Sequence, residues 1–600
     1  MKKLNRKNQL KKMMNGKSFE TRAMRKFLLK TRIMIPGGLY ASGLVMILIA
    51  VMPASTCAQE AGGEEITVVA PYQPAVSDAF KIDVSPRIPD EKLIKPELHY
   101  SLLSKLIVTP PELEAIVPAR IEGESVSKLQ KNYVRAGFGN YATPFIDFYA
   151  NQLRSKTSAF GVRLNHISSS GKMKGYAYPG NSKSEIAAYG KRFFQNHTLS
   201  ADIYTKRRGV HFYGYKPDDF PGLELAKKDI SQAYTTLGLN TGFASNYTTG
   251  NSVNHRFGLG YYYLFDKYKS SENNLLFTTS LDKKMEFFSF TDQEKLGVDF
   301  AIDFSANKDT IQKYNSSIER IYPYYHIQFD QYRFEVGLNT SIRSDPNAKV
   351  HLYPMVKVEV KVVDEYLTTF AGIRGNLDRN SLRGLSEENP FIISTIQKEF
   401  TNRKIEQFGG LKGRITRYLD YSVGFMSSTV KNMPFYVNDT ASAIGEGLNN
   451  QFTVVYDDVK YTRLWGEFGF HYKDLAQSRL KVQYNDYFLD NEDRPWHRPG
   501  LEVTLGVDYN IQNKIKVRTE LFTNNGAYAR LFEKDATGQT LVKEEKLKGL
   551  ADLNMGVEYR YSSALSGFVN FNNILGRRYY QWYNYPSYRF NMLLGVTYSF

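Results

Sequence analysis

The last fifty residues, Ala551–Phe600, read ADLNMGVEYRYSSALSGFVNFNNILGRRYYQWYNYPSYRFNMLLGVTYSF. From Phe590 onward every second side chain is apolar or aromatic. Phe590, Met592, Leu594, Val596, Tyr598 and Phe600 share one face of an extended chain, and Asn591, Gly595, Thr597 and Ser599 take the other. A period of two puts successive side chains on opposite faces of a strand. The same period runs through Leu553, Met555, Val557, Tyr559 and Tyr561, which alternate with Asp552, Asn554, Gly556, Glu558 and Arg560.

The pattern extends far upstream. Val298, Phe300, Ile302 and Phe304 alternate with Asp299, Ala301, Asp303 and Ser305; Tyr332, Phe334, Val336 and Leu338 alternate with Arg333, Glu335, Gly337 and Asn339. Leu501, Val503, Leu505, Val507 and Tyr509 alternate with Glu502, Thr504, Gly506 and Asp508. Roughly 20 to 24 such segments follow residue 130, with no helical period between them. Strands of about ten residues with charge kept on one face exceed the five or six residues usual in soluble sandwiches. The chain is therefore expected to be all-β, a large antiparallel transmembrane β-barrel over residues 131–600.

Composition agrees. Aromatics make up 14% of the chain, with 43 Tyr and 38 Phe, yet the hydrophobic share is 42% and the mean hydropathy is −0.42. A barrel needs grease on alternate residues only, and aromatic girdles at both membrane interfaces. The net charge of +17 does not point to nucleic acid, because residues 1–32 hold twelve Lys/Arg against Glu20 alone. That basic run precedes the apolar stretch Gly37–Pro53 and the small residues before Gln59, the layout of a secretory signal peptide over residues 1–58. Cleavage after Ala58 is expected, with a lipidated Cys57 as the alternative and Met24 or Met34 as alternative starts. Cys57 is the single cysteine, so the mature chain has no disulfide.

Residues 59–130 carry Pro71, Pro74, Pro86, Pro89, Pro96, Pro110, Pro111 and Pro118, a density that breaks helix and ladder alike and predicts an extended periplasmic or luminal segment. Beyond it, Gly-, Asn- and Pro-rich connectors at 209–228, 376–393, 432–450, 488–499, 526–546 and 576–587 are expected to be exposed loops, and short turns such as Tyr561–Ala564 to face the periplasm.

Residues 550–600 resemble the final three strands of TonB-dependent receptors, in the segments Leu553–Tyr561, Phe568–Trp582 and Phe590–Phe600. Asn572, Asn573, Leu575 and Tyr579 match that family's N-N-x-L-x-x-x-Y pattern, and a terminal strand ending in Phe is what the outer-membrane insertion machinery reads in this class of barrel. The resemblance implies about 22 strands, or about 21 residues per strand and connector, a comfortable fit. It makes Phe590, Tyr598 and Phe600 the membrane-insertion signal, and Glu65, Ile66, Thr67, Val68 and Val69 a TonB box, an extended segment that pairs with the periplasmic energy transducer by strand addition. The chain departs from the family in one respect. Only about 70 residues precede the first strand, too few for a folded plug, so the whole looks most like the plugless, receptor-like barrels of the Bacteroidetes lineage. An unplugged lumen of that width leaks, so the N-terminal segment, inward loops or a partner is expected to occlude it.

No catalytic residue, metal site or cofactor is expected. His166 and Ser168 in NHISSSG share a strand face, as in outer-membrane phospholipase A. A nucleophile needs a base oriented by a third group, however, and Ser170 and Lys172 break that family's motif. The remaining histidines show no paired ligand spacing. Tyr579, Tyr580, Trp582 and Tyr583, with Tyr585 and Tyr588, are candidate external ligand contacts or parts of a girdle and loop cap. Three functions fit: TonB-linked uptake of a bulky nutrient, a barrel that scaffolds an outer-membrane or periplasmic assembly, and a passive pore. The expected partners are outer-membrane lipid, the insertion machinery, and TonB or a periplasmic or outer-membrane protein.

Overall fold

The computed structural model describes residues 130–152, 155–247, 252–344, 348–439, 448–534 and 540–600, all within one compact unit, Arg120–Phe600. The expected signal peptide, the Pro-rich segment and Glu65–Val69 lie outside the described residues. Twenty-two strands make one antiparallel sheet, and its first strand, Asn132–Gly139, pairs with its last, Asn591–Ser599. The barrel, its class and its strand number are those expected.

Closure is tight at the seam. Asn132 N donates to Phe600 O at 2.8 Å and Phe600 N donates back to Asn132 O at 3.0 Å, so the terminal aromatic forms the last rung. Gly137 pairs with Gly595 on the inner face, where the ring of Phe568 fills the space two side chains would have taken. A Cβ on Gly595 would meet Ala136 O at 2.1 Å and the Phe568 ring at 2.7 Å.

The alternation sorts as the sequence predicts. Leu594, Val596, Tyr598, Val336, Leu338, Phe304 and Tyr509 are exposed on the outer wall. Their neighbours face inward and pair with one another, as in Arg333–Glu359 at 3.1 Å, Lys412–Glu359 at 3.0 Å and Arg379–Asp303 at 2.9 Å. Such ladders of opposite charge keep a wet interior wall compatible with a lipid-facing exterior.

Both ends of the barrel chain lie at one rim, where connectors are short, among them 330–331, 417–418, 512–514 and the expected turn Tyr561–Ala564. The long connectors 212–230, 380–399, 490–500, 525–550 and 573–590 gather at the other rim. Four connectors start later than expected, because the ladder continues past the composition break: strands reach His211, Arg379, Asn438 and Leu489. Connector 525–550 is no open loop either; a hairpin, Ala527–Lys534 with Thr540–Leu547, starts at Gly526, whose φ of +83° suits glycine. Strands Leu419–Asn438 and Phe452–Tyr472 have 20 and 21 residues. At the usual rise and tilt they stand about 50 Å tall against a hydrocarbon core of about 30 Å, so the wall rises well above the membrane on this arc.

Candidate functional site

Connector 380–399 turns into the mouth of the barrel. Helix α1 (Leu382–Glu388) begins where the Ser381 hydroxyl accepts from Gly384 N at 3.0 Å, an N-cap, and stops at Asn389 ahead of Pro390. Leu382 and Leu385 of α1 and Ile392 and Ile396 beyond it pack with wall residues Tyr234, Leu264, Tyr436 and Phe452 into one buried cluster. Each such side chain contributes about 1.5–3 kcal/mol of burial free energy. A water-filled lumen has thus acquired an apolar core at its long-connector end.

Irregular backbone can be buried only if its polar groups find partners. Here the wall supplies them. Glu272 accepts from Leu382 N at 2.7 Å and from Tyr262 OH at 2.6 Å. Gln232 Nε2 donates to Ser394 Oγ at 3.0 Å, Ser394 Oγ donates to Asp266, and Ser270 Oγ donates to Ser394 O at 2.8 Å. Arg208 donates to Ser386 O at 3.3 Å and Glu387 O at 2.9 Å, which closes the carbonyl end of α1. From another arc of the wall, Phe452 N donates to Phe391 O at 3.0 Å and Ile393 N donates to Phe452 O at 2.8 Å. The connector is therefore a crossbar, held at both sides.

Connector 573–590 completes the cap. Asn573, at a φ of +49°, donates through Nδ2 to Arg577 O at 2.7 Å and Tyr588 O at 2.8 Å, so one residue of the N-N-x-L-x-x-x-Y pattern ties the two ends of this connector. Tyr585 stacks on Phe391 with ring centroids 3.7 Å apart, and its hydroxyl donates to Asn450 O. Trp582 is buried against Tyr436 and Phe452.

His497, from connector 490–500, lies at the centre. Its Nδ1 donates to Tyr436 O at 2.9 Å and its Nε2 accepts from Tyr583 N at 3.3 Å, a pair of bonds that only the neutral Nδ1–H form can make. Burial, with the Arg498 guanidinium beside it, pushes its pKa down to about 4, although the bond to Tyr436 works the other way. Arg498 itself is paired with Glu388 at the end of α1, 2.6 Å away.

The candidate residues read from the sequence fall into two places. Tyr579 donates to Asp552 Oδ2 at 2.5 Å, the Tyr580 hydroxyl bonds that of Tyr176 at 3.0 Å, and Trp582 and Tyr583 meet His497. All four knit the cap. Phe590, Tyr598 and Phe600 stand on the outer wall. Sequence reading passed over the crossbar because its hydrophilic start resembled a loop; the apolar run Phe391–Ile393 and Ile396, unusual in an exposed connector, was the available signal.

Cavities open among these elements and further down the lumen. One of about 380 Å³ lies between the cap and the wall, with Arg463, Asn485, Tyr487 and Glu502 on one side and Arg498 and Trp582 on the other. One of about 340 Å³ lies beside the end of α1, against Lys183, Glu185, Lys206 and Arg208. A third, of about 540 Å³, is lined by Arg135, Asp508, Arg518, Glu520 and Glu558 nearer the short-connector rim. Polar side chains with a few aromatic faces suit a hydrophilic solute. His166 faces outward, not into any cavity; its Nδ1 meets Ser184 Oγ at 2.8 Å and its Nε2 meets Ser168 Oγ at 3.2 Å. A third group thus exists, but both partners are hydroxyls and no carboxylate orients the ring. Among the described residues no group of three or more His, Cys, Asp or Glu is arranged to hold a metal.

No family model matches this chain, and no curated protein does. Solved structures do. The chain is similar to the Pseudomonas aeruginosa pyoverdine receptor FpvA in complex with heterologous pyoverdines, at 11% identity and a TM-score of 0.59 over 79% of this chain and 72% of that one. It is similar to the siderophore receptor PirA from Acinetobacter baumannii, at 11% identity and 0.59 over 80% and 81%. The outer membrane transporter YddB from Escherichia coli matches at 10% identity and 0.56 over 79% and 81%. Likeness at this identity shows a shared fold, here a closed 22-strand barrel.

Proposed function

We propose that the chain is an outer-membrane receptor and transporter that carries a bulky hydrophilic solute, drawing force from TonB through the box-like residues Glu65–Val69. The observation that supports this reading best is the cap. Cavities lined with polar and aromatic side chains lie under and beside connectors that close over the lumen, the arrangement needed to hold a solute before admitting it. The shared barrel fold agrees: PirA is a siderophore receptor and FpvA a pyoverdine outer membrane receptor.

A second reading draws on the same crossbar. A connector buried as deeply as a domain core, held by Glu272, Asp266, Arg208 and Phe452, suits a barrel that does not conduct and serves as a scaffold. Deleting residues 60–72 separates the two. Loss of growth on the transported nutrient, with the barrel still assembled, supports transport. Unchanged growth together with loss of a co-purifying protein supports the scaffold.

A further inference from the structure

We propose that the outer wall carries a binding site for the phosphate of an anionic membrane lipid, centred on Arg207 at the long-connector rim. The assignment follows from the register. Across four neighbouring strands, His166, Ser184, Arg207 and Thr235 stand opposite one another in a single row. Exposure of Phe160, Val162, Ile186, Ile203 and Leu237 fixes this parity as the outward one. The row immediately toward the short-connector rim is Leu164, Ile186, Thr205 and Leu237, and beyond it lie Val162, Ala188, Ile203 and Leu239. The row on the other side is Ser168, Ser182, Gly209 and Ala233. The wall therefore changes from apolar to hydrogen-bonding at the level of Arg207, where lipid chains give way to headgroups.

The residues at this level are prepared for an anion. Arg207 is exposed and has no ion-pair partner among the described residues, and none of the outward positions in these four rows is acidic. Arg333 and Lys412, by contrast, face Glu359 on the inner wall. The Arg207 guanidinium folds over Gly209: a Cβ there would meet Arg207 Nη1 at 3.4 Å and Ser182 Oγ at 2.8 Å, so the cation and a free hydroxyl share one notch. Beside them Ser168, His166 and Ser184 form a continuous hydrogen-bonded chain. Guanidinium and hydroxyl donors converging at the top of an apolar strip match a phosphate whose acyl chains run down over Ile186, Ile203 and Leu237.

The full-length protein in nanodiscs of mixed phosphatidylcholine and phosphatidylglycerol tests this, by native mass spectrometry of the lipids retained on release. Wild type should keep phosphatidylglycerol in preference, and R207A should lower that preference about tenfold, the weight of a charged hydrogen bond, with R207K recovering part of it. K460A is the control, since Lys460 is also an outward cation but lies against Phe488 on another arc. Equal retention by wild type and R207A, or an equal loss in K460A, overturns the proposal. Heat-shifted mobility on gels confirms that each variant barrel is assembled.

Discussion

At the scale of single residues, the cap depends on a histidine that must stay neutral. Unfolded, His497 titrates near 6.5; folded, it does so at about 4. A base whose folded pKa is depressed loses stability as pH falls through the interval between the two values, because the unfolded chain binds the proton first. The cap should therefore be fully stable above pH 6.5, weaken progressively down to pH 4, and change little further on this account. The upper bound is about 3 kcal/mol. Hydrogen exchange in connectors 490–500 and 573–590 across this range measures it, and H497Q should flatten the profile. A variant with the same acid dependence as wild type would show that other groups govern it. Gly595 has a stricter role: G595V drives a side chain into Ala136 O and the Phe568 ring, so the assembled, heat-modifiable fraction should fall several-fold. An unchanged fraction would mean the seam has slack that the backbone spacing does not show.

At the scale of elements, the crossbar is separable from the wall that bears it. Asn380 N donates to Glu399 O at 3.2 Å, so the strands on either side are already adjacent where the connector leaves and returns. Replacing residues 382–396 with a short Asn-Gly-containing turn should leave the barrel standing while removing Leu382, Leu385, Ile392 and Ile396 from the lumen. In a planar bilayer this variant should conduct in large steps where wild type is nearly silent. Silence in both would place the main barrier in another element. The contrast with Asn438 is instructive, because there the ladder simply continues past a polar composition break and the sequence boundary fell short.

At the scale of the whole molecule, the fold places two chemically opposite solvents on either side of one sheet, and each functional idea belongs to one side. The inner side holds the crossbar, the charge ladders and the cavities. The outer side holds the apolar belt and the Arg207 row. The deletion of residues 60–72 and the lipid-retention experiment therefore probe different surfaces, and failure of one leaves the other standing.

Period-two alternation was enough to determine class, barrel and approximate strand number, because each outward Val, Leu or Phe and each inward Asp, Glu or Arg obeys a rule local to its own strand. Asn573 and Tyr579 were legible as a motif, and their bonds to Arg577, Tyr588 and Asp552 give it a physical basis. The sequence alone could not show that residues 380–399 fold inward. Their partners, Asp266, Glu272, Tyr436 and Phe452, lie roughly 50 to 130 positions away along the chain and become neighbours only once the sheet has closed on itself. The environment of His497 is likewise a product of closure: burial and its two bonds come from connectors that meet only over a shared lumen.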